Sequence, residues 1–469
     1  MTDIRMQQNK QSDPAKAPDF TGSLVPARPF WQQLKMLTNP PLFFEKLIAR
    51  YGDYVRYRGV VNFHLVNHPA LVGRVLRETH RNFDKATPIY HRFRNAFGDG
   101  LVTVEGERWK KRRKLIQPVF KGSAIEDFFS LMRDAAHSAV DAWPTNTVFN
   151  IADEMDHLAL TVAGRSFFGR AFDDSSEDIR RWTDVINRYC ALPPLSIISN
   201  PKVPTPMNLK LRGVLGEYDQ FLGRLIRERT EGFANDDLLG ILLDTMDEET
   251  GEGLDPKDLA EEVLGMLIAG HETTGKALTW IWYELNRHPE VEKALREEIE
   301  TVTGGGPLKV EHLKELRKIT MVIEETLRLH PPAWFENRNT LEEVELGGEV
   351  LPKGTMVVFS RYSLQRHPDF WMDPEMFKPE RFDPEDAENA GNRHASVPFG
   401  GGPRVCIGRH FAMMEIKVVV ATVLRHFQVV VDSSDQHEMC ARMTMAPRYG
   451  LRVHLTRREQ KQQADPGLS

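Results

Sequence analysis

Three cysteines occur in the chain, at 190, 406 and 440, and Cys406 stands in a setting where a thiol does chemistry. It lies in Phe399-Gly400-Gly401-Gly402-Pro403-Arg404-Val405-Cys406-Ile407-Gly408, where three glycines and a proline make a tight loop and an apolar-periodic helix begins just after. A cysteine at a helix N-terminus faces unpaired backbone N–H groups and the positive end of the helix dipole, and both favour the thiolate. A thiolate in an irregular Gly-rich loop, with N–H donors aimed at its sulfur, is what a soft-ligated metal requires. Arg404 adds fixed positive charge to the same loop. The plain alternative is a buried core cysteine beside a turn. Cys190 and Cys440 have no such setting and read as structural. An odd number of cysteines without a CxxC pair indicates neither a disulfide framework nor a structural zinc site.

A second group of polar residues, Ala269-Gly270-His271-Glu272-Thr273-Thr274, interrupts the apolar run Val263–Ala269 in the middle of a long helix. Alone it reads more readily as a Gly-containing buried turn with ordinary polar side chains. Chemically, the Thr273 hydroxyl can bond back to the carbonyl of Ala269, four residues earlier, which bends or opens the helix. Gly270 lowers the steric cost of that opening and leaves a notch for a small ligand. His271 suggests HExxH zinc chemistry, but position 275 is Gly, so that reading fails. Glu325 and Arg328 share one face of an amphipathic helix that ends at Pro331. Most such pairs are exposed and worth under about 1 kcal/mol. Trp109 and Arg113 share a face of the basic run Trp109–Lys114, whose other cations read alternatively as a solvated surface.

The elements that must position these residues are legible in outline. Tyr54–Arg58 and Asn62–Val66 alternate as a hairpin, and a mostly helical region follows from about Pro69 to His330. Its best-marked helix has Asp255 as N-cap and Pro256 at the first helical position, and runs to Arg287, roughly 48 Å. Val344–Val350 around Gly347-Gly348 reads as a hairpin and Thr355–Ser360 as a strand. Pro368–Val405 has little periodicity, which in so long a stretch points to function. Helix returns at Ile407–Phe427, and Tyr449–Leu455 reads as a closing strand. The pattern predicts one mainly helical α+β domain over 22–456, with polar tails at 1–21 and 457–469 that carry no packed structure.

In 469 residues, 61 Lys and Arg against 67 Asp and Glu leave a net charge of −6, which excludes bulk attraction to nucleic acid or anionic lipid. The longest stretch without Asp, Glu, Lys or Arg is 59–73, too short and too polar for a membrane span. The polar, Gln-rich start has no signal-peptide core, and a reducing cytoplasm suits the cysteine usage.

Phe399, Gly402, Arg404, Cys406 and Gly408 fill every fixed position of F-x-x-G-x-R-x-C-x-G, and through them the chain resembles the cytochrome P-450 family, whose haem-binding loop this is. The resemblance implies a single P-450-type fold, a triangular prism with a large helical part and small sheets. It implies Cys406 as the axial thiolate of haem b, which favours O–O cleavage. Phe399 then packs beside the sulfur, while Gly402 and Gly408 allow close approach of the porphyrin. Pro379-Glu380-Arg381-Phe382 matches a further family motif, so that Glu325, Arg328 and Arg381 form a buried structural triad. Trp109 and Arg113 match W-x-x-x-R, which together with Arg338 and Arg404 binds the haem propionates. Dioxygen lies at the helix notch, where Thr273 hydrogen-bonds it and Glu272 relays protons. The basic run lies on the cysteine side, where the family's electron donor docks.

The implied activity is that of a soluble, bacterial-type haem-thiolate monooxygenase and monomer. The chain ends about 60 residues after Cys406, so electrons are expected from a separate ferredoxin or flavodoxin and its NAD(P)H-dependent reductase. A peroxide-driven peroxygenase and a haem-based sensor are the alternatives. The intact Glu272-Thr273 pair disfavours the first, and the lack of a visible output domain the second. The substrate is expected to be lipophilic, a fatty acid, terpenoid or polyketide. Phe93, Phe97, Met266, Ala269 and Trp334 are the expected lining, joined by Gly265, Leu101, Leu192 and Ile197, with Arg92, Arg94 and Glu336 available to a polar end. Trp334-Phe335-Glu336-Asn337 is unusually polar for a stretch beside the substrate.

Overall fold

The computed structural model describes residues 22–25, 39–59, 61–145, 147–192, 200–230, 237–247, 250–385, 394–432 and 438–458. The two expected tails, the second from 459 onward, and Ile197 lie outside them.

The helix Pro256–Arg287 forms the axis of the molecule. Its N-cap is Asp255, whose carboxylate accepts from the Asp258 N–H at 2.7 Å, and Pro289 opens the next helix after His288. Most of its circumference is buried, with Trp280 and Trp282 nearly inaccessible. Its main neighbour is the helix Ile151–Phe168. The two backbones approach closely at Gly275, where a Cβ would lie 2.4 Å from Asp156 Oδ1 and 3.0 Å from Asp156 Cα. The helix Arg409–His426 follows the Cys406 loop, and its Ile416 to Leu424 stretch enters the same core.

A six-stranded sheet flanks the helices, in spatial order Ser23–Val25, Tyr54–Tyr57, Phe63–Val66, Met356–Ser360, Phe335–Thr340, Phe83–Asp84. The expected hairpin pairs Tyr54 with Val66 and Tyr57 with Phe63. A second expected hairpin, Val344–Leu346 with Glu349–Leu351, stands apart. The closing strand is Arg452–Arg457, paired with Phe427–Val431, so ordered structure extends past residue 456. Phe335–Thr340 is a strand that the hydrophobic pattern gave no sign of: Glu336, Asn337, Arg338 and Thr340 are all buried, and polar partners rather than apolar alternation satisfy them.

The irregular stretch after Pro368 is pinned by one buried charge cluster. Arg328 forks onto Glu325 at 2.6 and 2.8 Å and donates to the carbonyls of Gln365, Pro374 and Met376. Arg381 Nε lies 3.4 Å from Glu325, and the Lys378 N–H donates to the same carboxylate at 2.8 Å. Glu325 and Arg328 are fully buried. Such a cluster is sustained only by complete pairing, and removing one member costs about 3–5 kcal/mol.

Candidate active site

A cavity of about 410 Å³ lies between the middle of the central helix and the Cys406 loop. In the midst of an otherwise buried helix, Ala269 and Gly270 are exposed to it, and a Cβ on Gly270 would meet nothing within 4 Å. Thr273 Oγ1 donates to the Ala269 carbonyl at 2.7 Å, the back-bond expected from its sequence position. The Glu272 carboxylate accepts on both oxygens, from Asn187 Nδ2 at 2.7 Å and from Thr444 Oγ1 at 2.7 Å. His271 is buried, with Nδ1 against the Leu267 carbonyl at 2.9 Å.

On the opposite wall the loop turns through positive φ at Gly400 and Gly402, and the Cys406 N–H donates to the Phe399 carbonyl at 2.9 Å. Cys406 faces the cavity and is enclosed by protein elsewhere. Burial pushes its thiol up, while the Gly408 N–H and the charges of Arg113, Arg361 and Arg409 draw it toward the thiolate. Arg113 donates to the Val405 carbonyl at 3.0 Å, and the Arg404 guanidinium lies over the Trp109 ring at 4.1 Å.

Cys406, Phe399, Gly408, Arg404, Trp109, Arg113, Glu272 and Thr273 all line this one cavity, as do Phe93, Phe97, Met266, Gly265 and Ala269. Several expected placements are corrected. Trp334 is not in the wall: it packs in a separate core with Phe44 and Phe335, and its indole donates to the Arg442 carbonyl at 3.0 Å. Gly402 gives no room to the cavity either; it faces outward, where a Cβ would lie 1.9 Å from the Leu76 carbonyl oxygen. Arg338 sits behind the wall, paired with Glu336. Arg94 turns to Asp99 at 2.6 Å and to the Thr103 carbonyl at 2.7 Å. Arg92, which is buried, does not line the cavity, and neither does Leu192. The basic run is largely neutralised within the chain, Lys110 by Glu107, Lys111 by Glu252 and Lys114 by Asp247, with Arg112 buried against Asp258 and Glu262.

Sequence reasoning did not single out Lys85, Tyr90, Arg361 or Thr444, all in the cavity wall. None belongs to a local motif: Lys85 follows the strand Phe83–Asp84, Tyr90 lies in the helix Pro88–Phe97, Arg361 follows the strand Met356–Ser360, and Thr444 precedes the strand Met445–Pro447. Burial, then the nearby charges of Arg338 and Arg404, pull Lys85 well below the usual lysine range. Around this wall five cations, Lys85, Arg113, Arg338, Arg361 and Arg404, face two carboxylates, Glu105 and Glu336. An excess of positive charge on this wall of a mostly apolar cavity, beside a cysteine with arginines around it, fits a flat apolar cofactor that bears two carboxylates and takes a sulfur ligand.

The cytochrome P450 family model matches residues 23–453, and the chain belongs to that family; it is a cytochrome P450 monooxygenase, with haem as the family's cofactor. It is 34% identical over 427 residues to cyclooctat-9-en-7-ol 5-monooxygenase of Streptomyces melanosporofaciens, covering 90% of this chain and 92% of that protein. It is 34% identical to pentalenene oxygenase of Streptomyces avermitilis over 435 residues, 91% of this chain and 94% of that protein. Among solved structures it resembles the cytochrome P450DA heme domain, with a TM-score of 0.82 and 26% identity over 93% of this chain and 98% of that one. Among the described residues no helix is long and apolar enough to cross a membrane.

Proposed function

We propose that the enzyme inserts one oxygen atom from dioxygen into a cyclic terpenoid, using electrons from a separate ferredoxin or flavodoxin and its NAD(P)H-dependent reductase. The observation that carries this reading is the convergence of Cys406 and the Ala269–Thr273 turn on opposite sides of one cavity. Cys406 would hold the haem iron, with Trp109, Arg113 and Arg404 around its carboxylates, and the bound haem supplies the oxygen activation. Thr273 commits its proton to the Ala269 carbonyl, so its oxygen remains an acceptor in the cavity. In this reading the Glu272 carboxylate, held at the cavity wall by donors from Asn187 and Thr444, relays protons toward Thr273.

The apolar walls, with Ile89, Phe93, Phe97, Met266 and Phe335, select by shape and exclude water. The terpenoid assignment rests on that lining together with the names of the two Streptomyces relatives, both of which refer to cyclic isoprenoids. A Soret titration tests it. Cyclic terpene hydrocarbons and alcohols are expected to displace the water ligand and shift the band at micromolar concentration, with straight-chain fatty acids at least tenfold weaker. The reverse order would overturn the assignment.

A further inference from the structure

The polarity of Glu336 is not explained by substrate contact. Its carboxylate is clamped between two guanidinium groups, Arg338 on Oε1 and Arg361 on Oε2, and all three residues are buried. Arg361 cannot swing away, because it also donates to the carbonyls of Val397 at 3.0 Å, Ala333 at 2.8 Å and Phe335 at 3.3 Å. Arg338 is held in turn by the Asn337 carbonyl at 2.8 Å. The clamp reaches the cysteine loop: a Cβ on Gly400 would lie 3.6 Å from Arg361 Nη2 and 4.0 Å from Glu336 Oε2. Glu336 and Arg361 also both line the cavity.

We infer that Glu336 is a positioning residue whose fixed negative charge, held by Arg338 and Arg361 against the Cys406 loop, lowers the reduction potential of the iron bound there. The inference rests on the haem-thiolate reading of the site. The three buried charges beside the Cys406 loop, two positive and one negative, leave one net positive charge. Removing the negative one adds to the field that favours an electron arriving on the iron, and in a wall of low effective dielectric that field is poorly screened. Glu336 stays ionised throughout the working range: burial raises its carboxyl, but Arg338 and Arg361 outweigh that and hold it at about 2.

The test is spectroelectrochemical titration of the haem-loaded protein. Glu336→Gln keeps the shape and removes the charge. The ferrous-to-ferric ratio at a fixed potential is expected to rise about tenfold, equivalent to about 59 mV for one electron. Arg361→Gln, with Glu336 intact, is expected to lower that ratio by a similar factor. The double variant Glu336→Gln with Arg361→Gln restores the charge balance and is expected to return within about twofold of wild type. A purely structural role would lower haem content or melting temperature without moving the potential of the loaded fraction. Glu336→Gln within twofold of wild type overturns the proposal. If that variant does not load haem, an unmoved Arg361→Gln does the same. Failure of the haem reading looks different, because wild-type protein would then lack the thiolate signature of its reduced carbonyl adduct.

Discussion

The two walls of the cavity are built on opposite plans. The Cys406 wall is crowded with charge that is held by ion pairs and hydrogen bonds: Arg404 with Glu105, Arg338 and Arg361 with Glu336, and Arg113 with the Val405 carbonyl. The central-helix wall is mostly apolar, and its Thr273 and Glu272 are held by three single hydrogen bonds. The first plan fixes position, because a buried ion pair with satisfied hydrogen bonds has one low-energy arrangement. The second keeps a few groups free to exchange partners, which proton transfer requires. The lesson is a division of labour in which the ion pairs gather on the side that, in the proposed reading, would hold the cofactor.

That contrast is broken most severely at Cys406. Cys406→Ala is expected to abolish the thiolate-type carbonyl band completely while the fold persists, as followed by absorbance and circular dichroism; a retained band would disprove the ligand assignment. Next comes the buried cluster beneath the loop. Glu325→Gln leaves Arg328 and Arg381 without their counter-charge and is expected to cost about 3–5 kcal/mol in urea unfolding, with loss of haem content. A change under about 1 kcal/mol would mean that the meander is held by other contacts.

Acid titration sharpens the same comparison. The folded pKa of Glu336 is depressed to about 2 from an ordinary 4.5, so its stabilisation is present above about 4.5 and is lost as pH falls toward 2. That amounts to roughly 3 kcal/mol, and Glu336→Gln is expected to flatten the acid limb of the stability curve by that order. An unchanged limb would show that the charge is not held by the clamp. On the other wall, Thr273→Ala is expected to keep haem and substrate binding but to divert several-fold more electrons to peroxide, measured per NAD(P)H consumed. Unchanged coupling removes Thr273 from the proton path. The smallest effect is expected at the basic helix. Lys110→Ala removes a cation already matched by Glu107 and should alter reductant-dependent rates by less than about twofold at physiological salt; a tenfold fall would place the electron donor there.

Much of the cysteine loop and the central helix was legible because their signals are local. Asp255-Pro256 marks a helix start, and Thr273 and Ala269 are four apart on one helix, so spacing alone predicts their bond. Charged partners that meet through the fold were not legible. Lys85 and Arg361 come from distant segments, and nothing near either in sequence distinguishes it from a surface cation. Trp334 illustrates the opposite failure: proximity to lining residues suggested a pocket role, but in a strand-entry segment the ring turned to the other side of the backbone and into the core. The strand Phe335–Thr340 hid because ion pairs, not alternating apolar side chains, bury its polar residues.

Gly402 carries a consequence for assembly. The bend that presents Cys406 is seated on the Leu76 carbonyl, more than three hundred positions earlier in the chain. The two ends of the polypeptide must therefore come together before the sulfur points at its target. If Cys406 is the ligand, uptake of the pigment would follow that long-range contact, and the colour of a preparation would report how many molecules have formed it.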